Sequence, residues 1–183
     1  MSFETMKLFF AMGAIAANVM TIGLLSIGLM GRGKRRNPFE FLRGITLWFA
    51  GGVAIAAMAG SLYLSEIAHL IPCKLCWFQR IAMYPIAIVL PIAAWRKDNG
   101  IRLYAAVLAV IGLGVAIWHR LIQAFPSLDS GACAAVGPPC SAPYIKEFGF
   151  VTIPYMALSA FALILVLLWA NRVNSSRTVA TSA

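Results

Sequence analysis

The chain has 183 residues, of which 61% are hydrophobic and 11% are charged. A soluble domain carries about 25% charged residues, so the composition excludes an ordinary soluble fold and indicates a protein largely surrounded by lipid. The formal net charge of +9 comes from basic residues clustered at the ends of apolar stretches. This pattern is typical of membrane topology signals and headgroup contacts, and it argues against nucleic-acid binding.

Five apolar segments are long enough, or nearly so, to cross a bilayer core, which takes about 20 helical residues. The sequence therefore predicts an all-α fold of five transmembrane helices. Pro154 predicts a bend in the fifth helix. The polar tail at 172–183 is predicted to be a disordered cytoplasmic segment. The five segments cover residues 8–30, 44–65, 75–95, 103–122 and 148–170.

The basic residues predict the orientation, because short cytoplasmic loops are rich in Lys and Arg. With five spans, ten of the 15 Lys and Arg residues fall on one side, which we expect to be cytoplasmic together with the C-terminus. The N-terminus and the 66–74 and 122–147 loops are then expected on the outer face of the plasma membrane. The ten residues are Arg32, Lys34, Arg35, Arg36, Arg43, Arg96, Lys97, Arg102, Arg172 and Arg177.

All four cysteines lie in or beside the two loops that the charge pattern places outside. Thiols outside the cytoplasm meet an oxidising environment, in which disulfides persist. Because the topology and the cysteine positions are read from different residues, their agreement indicates redox chemistry at the outer face. The four are Cys73, Cys76, Cys133 and Cys140.

Cys73 and Cys76 form a C-x-x-C motif at the predicted start of the third helix. Unpaired N–H groups and the positive end of the helix dipole stabilise a thiolate there, and can lower a cysteine pKa from its usual value of about 8.5. Arg80 lies one helical turn beyond Cys76 on the same face. We expect its partner to be an oxygen of a bound electron acceptor or the Cys76 thiolate. A snorkelling interface anchor is the alternative.

Two other interpretations of the cysteines are weighed against redox chemistry. A zinc site would need all four as ligands, but the spacing of Cys133 and Cys140 in a Gly- and Pro-rich loop is not that of a zinc knuckle. No metal is therefore predicted. A purely structural disulfide between Cys133 and Cys140 is the second alternative.

The stretch PCKLCWFQR at 72–80 resembles the signature of the DsbB family of membrane thiol:quinone oxidoreductases, in its short Gram-positive branch, often called BdbC. The stretches WHRLIQ at 118–123, CSAPYI at 140–145 and FGFVTIP at 148–154 are similar to that branch as well. The resemblance implies a four-helix transmembrane core, here 37–171. Residues 1–36 then add one N-terminal transmembrane helix and a basic cytoplasmic loop, and 172–183 form the tail.

The resemblance also implies an electron relay through two redox disulfides, Cys73–Cys76 and Cys133–Cys140. An extracytoplasmic thioredoxin-like, DsbA-like dithiol protein would form a mixed disulfide with Cys133, and Cys140 would exchange with Cys73. Cys76 would face a membrane quinone with Arg80 beside it. The quinone would be menaquinone or ubiquinone, and analogy with the Gram-positive branch favours menaquinone. The loop between Cys133 and Cys140 is shorter than in the long enteric members, which leaves the order of attack within this pair open.

Further predictions concern other polar residues near the outer face. Glu66 is a candidate for proton transfer during quinone reduction, or a carboxylate at the headgroup level. His119 is a candidate for contact with the quinone or with headgroups. Gln79 and Gln123 are predicted only to line the pocket.

Three rival functions are weighed against the oxidoreductase. A vitamin K epoxide reductase-like protein also pairs loop cysteines with a membrane C-x-x-C, but that family places the loop pair first in sequence. A non-enzymatic membrane scaffold with two structural disulfides predicts pairs that stay oxidised and ignore quinone. A transporter is disfavoured, because Arg80 is the one clear intramembrane charge in the sequence and no inverted repeat is evident.

Overall fold

Five long α-helices make up most of the chain that the structure describes. The computed structural model describes residues 3–30, 39, 42, 44–129 and 138–181, with side-chain environments up to residue 173. A π-helical turn, Tyr63–Ile67, extends the second helix, and a 3-10 turn, Pro126–Leu128, follows the fourth. Each long helix has the length and the composition to cross a membrane, which confirms the predicted all-α fold. The helices are α1 (Phe3–Met30), α2 (Thr46–Leu62), α3 (Lys74–Arg96), α4 (Ile101–Ala124) and α5 (Ile153–Thr181).

Four of the helices form a bundle, and α1 lies beside it. In the bundle α2 packs on α3, α3 on α4, α4 on α5, and α5 again on α2, while α1 packs on α5. Apolar side chains fill the interior, the largest fully buried ones including Phe161, Ile86, Leu90, Ile164 and Leu167. The arrangement is the predicted four-helix core with one additional N-terminal helix.

A glycine allows α4 to approach α5 closely. A Cβ atom at Gly112 would overlap the ring of Phe161, which is fully buried. Because the ring occupies the space that any larger residue would need, Gly112 sets the separation of these two helices.

The start of α5 differs from the prediction of a helix from residue 148. Glu147 and Val151 instead exchange two backbone hydrogen bonds, both of 2.9 Å, across a tight turn. Phe148 and Gly149, the central residues of this turn, have φ values of 51° and 77°. Two successive positive φ values are incompatible with a right-handed helix, so α5 begins only after the turn. Pro154 is therefore the second helical residue, where proline is tolerated, and not a bend inside the helix.

The end of α5 also differs from the prediction. The helix continues to Thr181, through most of the tail predicted to be disordered. Residues 172–181 contain neither Gly nor Pro. Adding a residue to an existing helix requires no new nucleation, so polarity alone does not end it.

Two contacts identify which helix ends lie together. Lys7, in the first turns of α1, lies 3.5 Å from a carboxylate oxygen of Glu147 in the turn before α5. Asn171 in α5 donates a hydrogen bond of 3.0 Å to Asn99, between α3 and α4. The start of α1 therefore lies at the same end of the bundle as the turn before α5, and opposite the α3–α4 turn.

Candidate functional site: a cysteine pair above an apolar cavity

Cys73 and Cys76 occupy the N-terminal mouth of α3, as the motif predicts. Cys73 is the N-cap residue with an extended backbone, and its carbonyl oxygen accepts the first helical hydrogen bond from Trp77 N–H at 3.2 Å. One turn of helix separates the two residues, so their Sγ atoms are neighbours, 3.1 Å apart. Only a small side-chain rotation is needed to join them in a disulfide.

Cys73 is the buried member of the pair, only 4% exposed. The hydrogen bond with the Cys76 sulfur, followed by burial, raises the pKa of the Cys73 thiol to about 12, while the contact with His119 opposes this rise. The shift is opposite to the lowered pKa that a helix N-terminus favours. In the reduced pair, therefore, Cys73 holds its proton and shares it with the neighbouring sulfur.

His119 lies between Cys73 and the segment that carries Cys140. The imidazole is 2% exposed and therefore does not reach lipid headgroups. Its Nε2 atom lies 3.7 Å from Cys73 Sγ and 3.2 Å from the carbonyl oxygen of Cys140. On the opposite side of the ring, Nδ1 lies 3.2 Å from Gln79 Nε2.

The hydrogen-bond partners of His119 determine its neutral tautomer. The carbonyl oxygen of Cys140 can only accept, so His119 Nε2 carries the hydrogen and donates it. The amide nitrogen of Gln79 can only donate, so His119 Nδ1 accepts. Both contacts require the same tautomer. The Nε2–H group is thereby held beside Cys73 Sγ, where it can stabilise a thiolate.

Cys140 is 1% exposed, and its Sγ lies within 4.8 Å of both Cys73 Sγ and a His119 ring nitrogen. The structure thus brings together three of the predicted site residues from α3, α4 and the segment before α5. The same three atoms have the spacing of metal ligands, although a closed structural zinc site takes four. Cys133, the fourth predicted cysteine, lies outside the described residues.

Arg80 lies one turn below Cys76 and is held by α2. Its Nε and Nη2 atoms donate hydrogen bonds of 2.9 Å to the hydroxyl and the carbonyl oxygen of Ser61. The guanidinium also stacks over the Trp77 ring, 5.4 Å from the centroid. Nη1 has no hydrogen-bond partner among the described residues, so one N–H edge of the guanidinium remains available to a ligand. No sequence pattern identified Ser61 in advance.

An apolar cavity of about 1020 Å³ adjoins these groups. Its wall includes Cys73, Cys76, Arg80, His119 and Cys140, while apolar residues of α1, α2, α3 and α5 form most of the remainder. Ligand sites of this kind are largely apolar, with a few polar groups that fix the orientation of the ligand. The cavity therefore suits a molecule with a small polar head and a long apolar tail.

The remaining predicted polar residues also border the cavity. Glu66 belongs to the π-helical turn, and its carboxylate accepts a 2.9 Å hydrogen bond from the Ser65 hydroxyl. Gln123 lies in the wall, and its buried Oε1 atom has no hydrogen-bond partner among the described residues. Gln79, predicted only as a pocket liner, has the more specific position against His119.

Comparisons with known proteins find relatives that are named for disulfide bond formation. The family profile described as "Disulfide bond formation protein DsbB" matches residues 43–171. "Disulfide bond formation protein C" of Bacillus subtilis is 45% identical over 124 residues, covering 68% of this chain and 90% of that protein. A "Probable disulfide formation protein" of Coxiella burnetii is 40% identical over 123 residues, covering 67% of this chain and 84% of that protein. No solved structure matches the chain significantly.

Proposed function

Because the chain belongs to the DsbB family of disulfide bond formation proteins, we propose that it carries electrons from an extracytoplasmic thioredoxin-like dithiol protein to a membrane quinone. Membership in the family makes it a multi-pass membrane oxidoreductase of disulfide formation. The observation that supports the finer proposal is the position of Cys73. Its sulfur lies within 4.8 Å of Cys140 Sγ and in contact with Cys76, which borders the cavity beside Arg80.

The relay consists of thiol–disulfide exchanges that balance at each step. The partner's dithiol reduces the Cys133–Cys140 disulfide, and its own cysteines become joined. The Cys140 thiolate then attacks Cys73, so that the Cys73–Cys76 bond breaks and Cys76 leaves as a thiolate. Cys133 next attacks Cys140, closes the loop disulfide and releases Cys73. Two electrons have then moved from the partner to the pair at the mouth of α3.

Residues of this chain assist each leaving sulfur. The Nε2–H group of His119 lies beside Cys73 Sγ and stabilises negative charge on that sulfur as Cys133 displaces it. Arg80, anchored on Ser61, places a positive charge one turn below Cys76. The raised pKa of Cys73 returns a proton to its sulfur once the reduced pair forms.

The polar end of the cavity fits a quinone head, because the Nη1 group of Arg80, which has no partner among the residues described, can donate to a quinone carbonyl oxygen. When bound, a quinone supplies the two-electron, two-proton sink that allows the Cys73–Cys76 disulfide to form again. Such a sink is necessary because exchange among protein disulfides is nearly balanced in free energy. A difference of about 30 mV in reduction potential between two disulfides corresponds to only about 1.4 kcal/mol. Both menaquinone and ubiquinone have the required carbonyl groups, and analogy favours menaquinone.

Oxidation of the purified, reduced protein tests this function. We expect added quinone to convert free thiols to disulfides, as followed by alkylation and mass shift. Cys76→Ser should abolish this oxidation. Cys133→Ser is the matched control: it should retain quinone-dependent oxidation of Cys73 and Cys76 but lose turnover with a thioredoxin-like partner. Quinone-dependent oxidation that persists in Cys76→Ser would overturn the mechanism, and pairs that ignore quinone would support a structural scaffold.

A further inference from the structure

We propose that α1, which lies outside the residues matched by the family, forms the wall of the cavity that receives the apolar tail of the quinone. The proposal rests on the quinone function proposed above. It assigns the added helix a part in ligand binding, beyond that of an additional membrane anchor.

Three contacts hold α1 in a fixed position against α5 and the turn that precedes it. Near its start, Lys7 lies 3.5 Å from Glu147. In its middle, the Asn18 amide donates hydrogen bonds of 2.8 and 2.9 Å to the hydroxyl groups of Tyr155 and Ser159. Near its end, Gly28 packs so tightly on Trp169 that a Cβ atom would overlap the indole. An amide within a membrane span favours a fixed partner, because lipid offers no hydrogen bonds.

One face of α1 borders the cavity. The bordering residues run from Met6 to Met20 at helical spacing and include Phe10, Gly13 and Ala17. Phe10 reaches across to the π-helical turn that extends α2, where its ring packs edge-on against Tyr63, with the centroids 6.1 Å apart. The cavity thus lies between α1 and the core helices, and α1 supplies a wall that the core alone would lack.

The apolar character of the α1 wall indicates that it contacts the tail of the quinone and not the head. Every residue that α1 contributes to the cavity is apolar, whereas Arg80, Gln79 and His119 come from α3 and α4. A quinone head needs hydrogen-bond donors, and α1 has none to offer in the cavity. An isoprenoid tail needs only apolar surface, which α1 provides over about four turns of helix.

Gly13 and Gly23 provide a matched pair of test positions. Both belong to α1, and a Cβ atom at either would meet no atom within 4 Å. Gly13 borders the cavity and Gly23 does not. A phenylalanine at either position adds the same apolar group to the same helix, but only the group at position 13 enters the proposed tail site.

The test compares a long-tailed quinone with a tail-less analogue in the full-length protein. We expect Gly13→Phe to raise KM for the long-tailed quinone about tenfold, the effect of losing burial of roughly two methylene groups. KM for the tail-less analogue should change little. Gly23→Phe should resemble the wild type with both, and quinone-free exchange with the partner should be unchanged in either variant. Phe10→Ala, which removes a ring from the same wall, should also raise KM for the long-tailed quinone.

The outcomes separate this proposal from the function on which it rests. If the wild type oxidises its thiols with quinone but Gly13→Phe and Phe10→Ala both match Gly23→Phe for the two quinones, the role of α1 is wrong and the oxidoreductase stands. If the wild type reduces neither quinone, both proposals fail. Equal loss with both quinones in Gly13→Phe and Phe10→Ala would place the defect at the head and would also overturn the assignment of the tail to α1.

Discussion

His119 contacts Cys73 and the backbone of Cys140, so we expect its side chain to act in the exchange between the two cysteine pairs. His119→Ala should slow electron transfer from the loop pair to the Cys73–Cys76 disulfide. A hydrogen bond to a charged group is worth about 1.5–3 kcal/mol, so the loss should be about tenfold to a hundredfold. Stopped-flow exchange without quinone measures this step. An unchanged exchange rate would show that His119 takes no part in this step.

Gln79 is a positioning residue, since it acts through the His119 ring. Gln79→Leu removes the donor to Nδ1 and should slow the same exchange by a smaller factor than His119→Ala. Gln123→Leu is the control, because Gln123 borders the same cavity and its Oε1 atom has no hydrogen-bond partner in the part of the chain that the structure describes. Equal effects of the two leucine variants would indicate a general packing defect instead of control of the tautomer.

Arg80 should act on the quinone half-reaction, because it lines the cavity with Cys76 and its Nη1 group has no hydrogen-bond partner among the described residues. Arg80→Ala should raise KM for quinone about tenfold to a hundredfold, the effect of losing a charge-assisted hydrogen bond. Partner binding should change less. Ser61→Ala removes one acceptor that holds the guanidinium and should give a smaller rise. Arg120→Ala, at a basic residue that does not border the cavity, should leave KM unchanged, and an equal rise there would show a nonspecific charge effect.

At the scale of single residues, the sequence predicted which side chains belong to the site better than it predicted the contacts that these side chains make. The C-x-x-C motif and Arg80 could be found because helical spacing places them on one face. Ser61 is 19 positions from Arg80 and His119 is 46 from Cys73, and no local pattern encodes such pairs. The preference of His119 for Cys73 over headgroups follows from how α4 packs on α3, which only three-dimensional structure reveals.

Glycines determine how closely the helices pack, and α4 contains a natural control. Gly112→Ala should destabilise the protein by about 1–3 kcal/mol, because its Cβ atom would overlap the fully buried Phe161 ring. Gly114→Ala, two residues along, adds a methyl group that meets no atom within 4 Å and should be neutral or slightly stabilising. Thermal unfolding in detergent compares them. Equal melting temperatures would contradict the assigned packing of α4 on α5.

Element boundaries were predictable where apolar composition alone decides them. All five helices follow from hydropathy, since crossing lipid requires about 20 apolar residues. The predicted positions of both ends of α5 were wrong, and the reasons are local. Positive φ values at Phe148 and Gly149 delay its start, and helix propagation extends its end. Neither cause is visible in average hydropathy.

At the scale of the whole molecule, the described cysteines and the basic α3–α4 turn lie at opposite ends of the bundle. Cys73 and Cys140 share one end, to which Lys7 and Glu147 also bring the start of α1. Arg96, Lys97 and Arg102 lie at the other, beside the contact between Asn99 and Asn171. The positive-inside rule then predicts that the cysteine end faces outward and that the α3–α4 turn faces the cytoplasm.

Single-cysteine labelling checks this orientation in a background whose four native cysteines are replaced by serine. Ser127→Cys, in the exposed turn after α4, should react with a membrane-impermeant maleimide in intact cells. Asn99→Cys, in the exposed α3–α4 turn, should react only after the cells are permeabilised. The proposed relay takes its electrons from an extracytoplasmic partner, so it needs this orientation. Labelling of Asn99→Cys in intact cells, with Ser127→Cys protected, would show that the topology is the reverse of the predicted one. An extracytoplasmic partner could then not reach the cysteines.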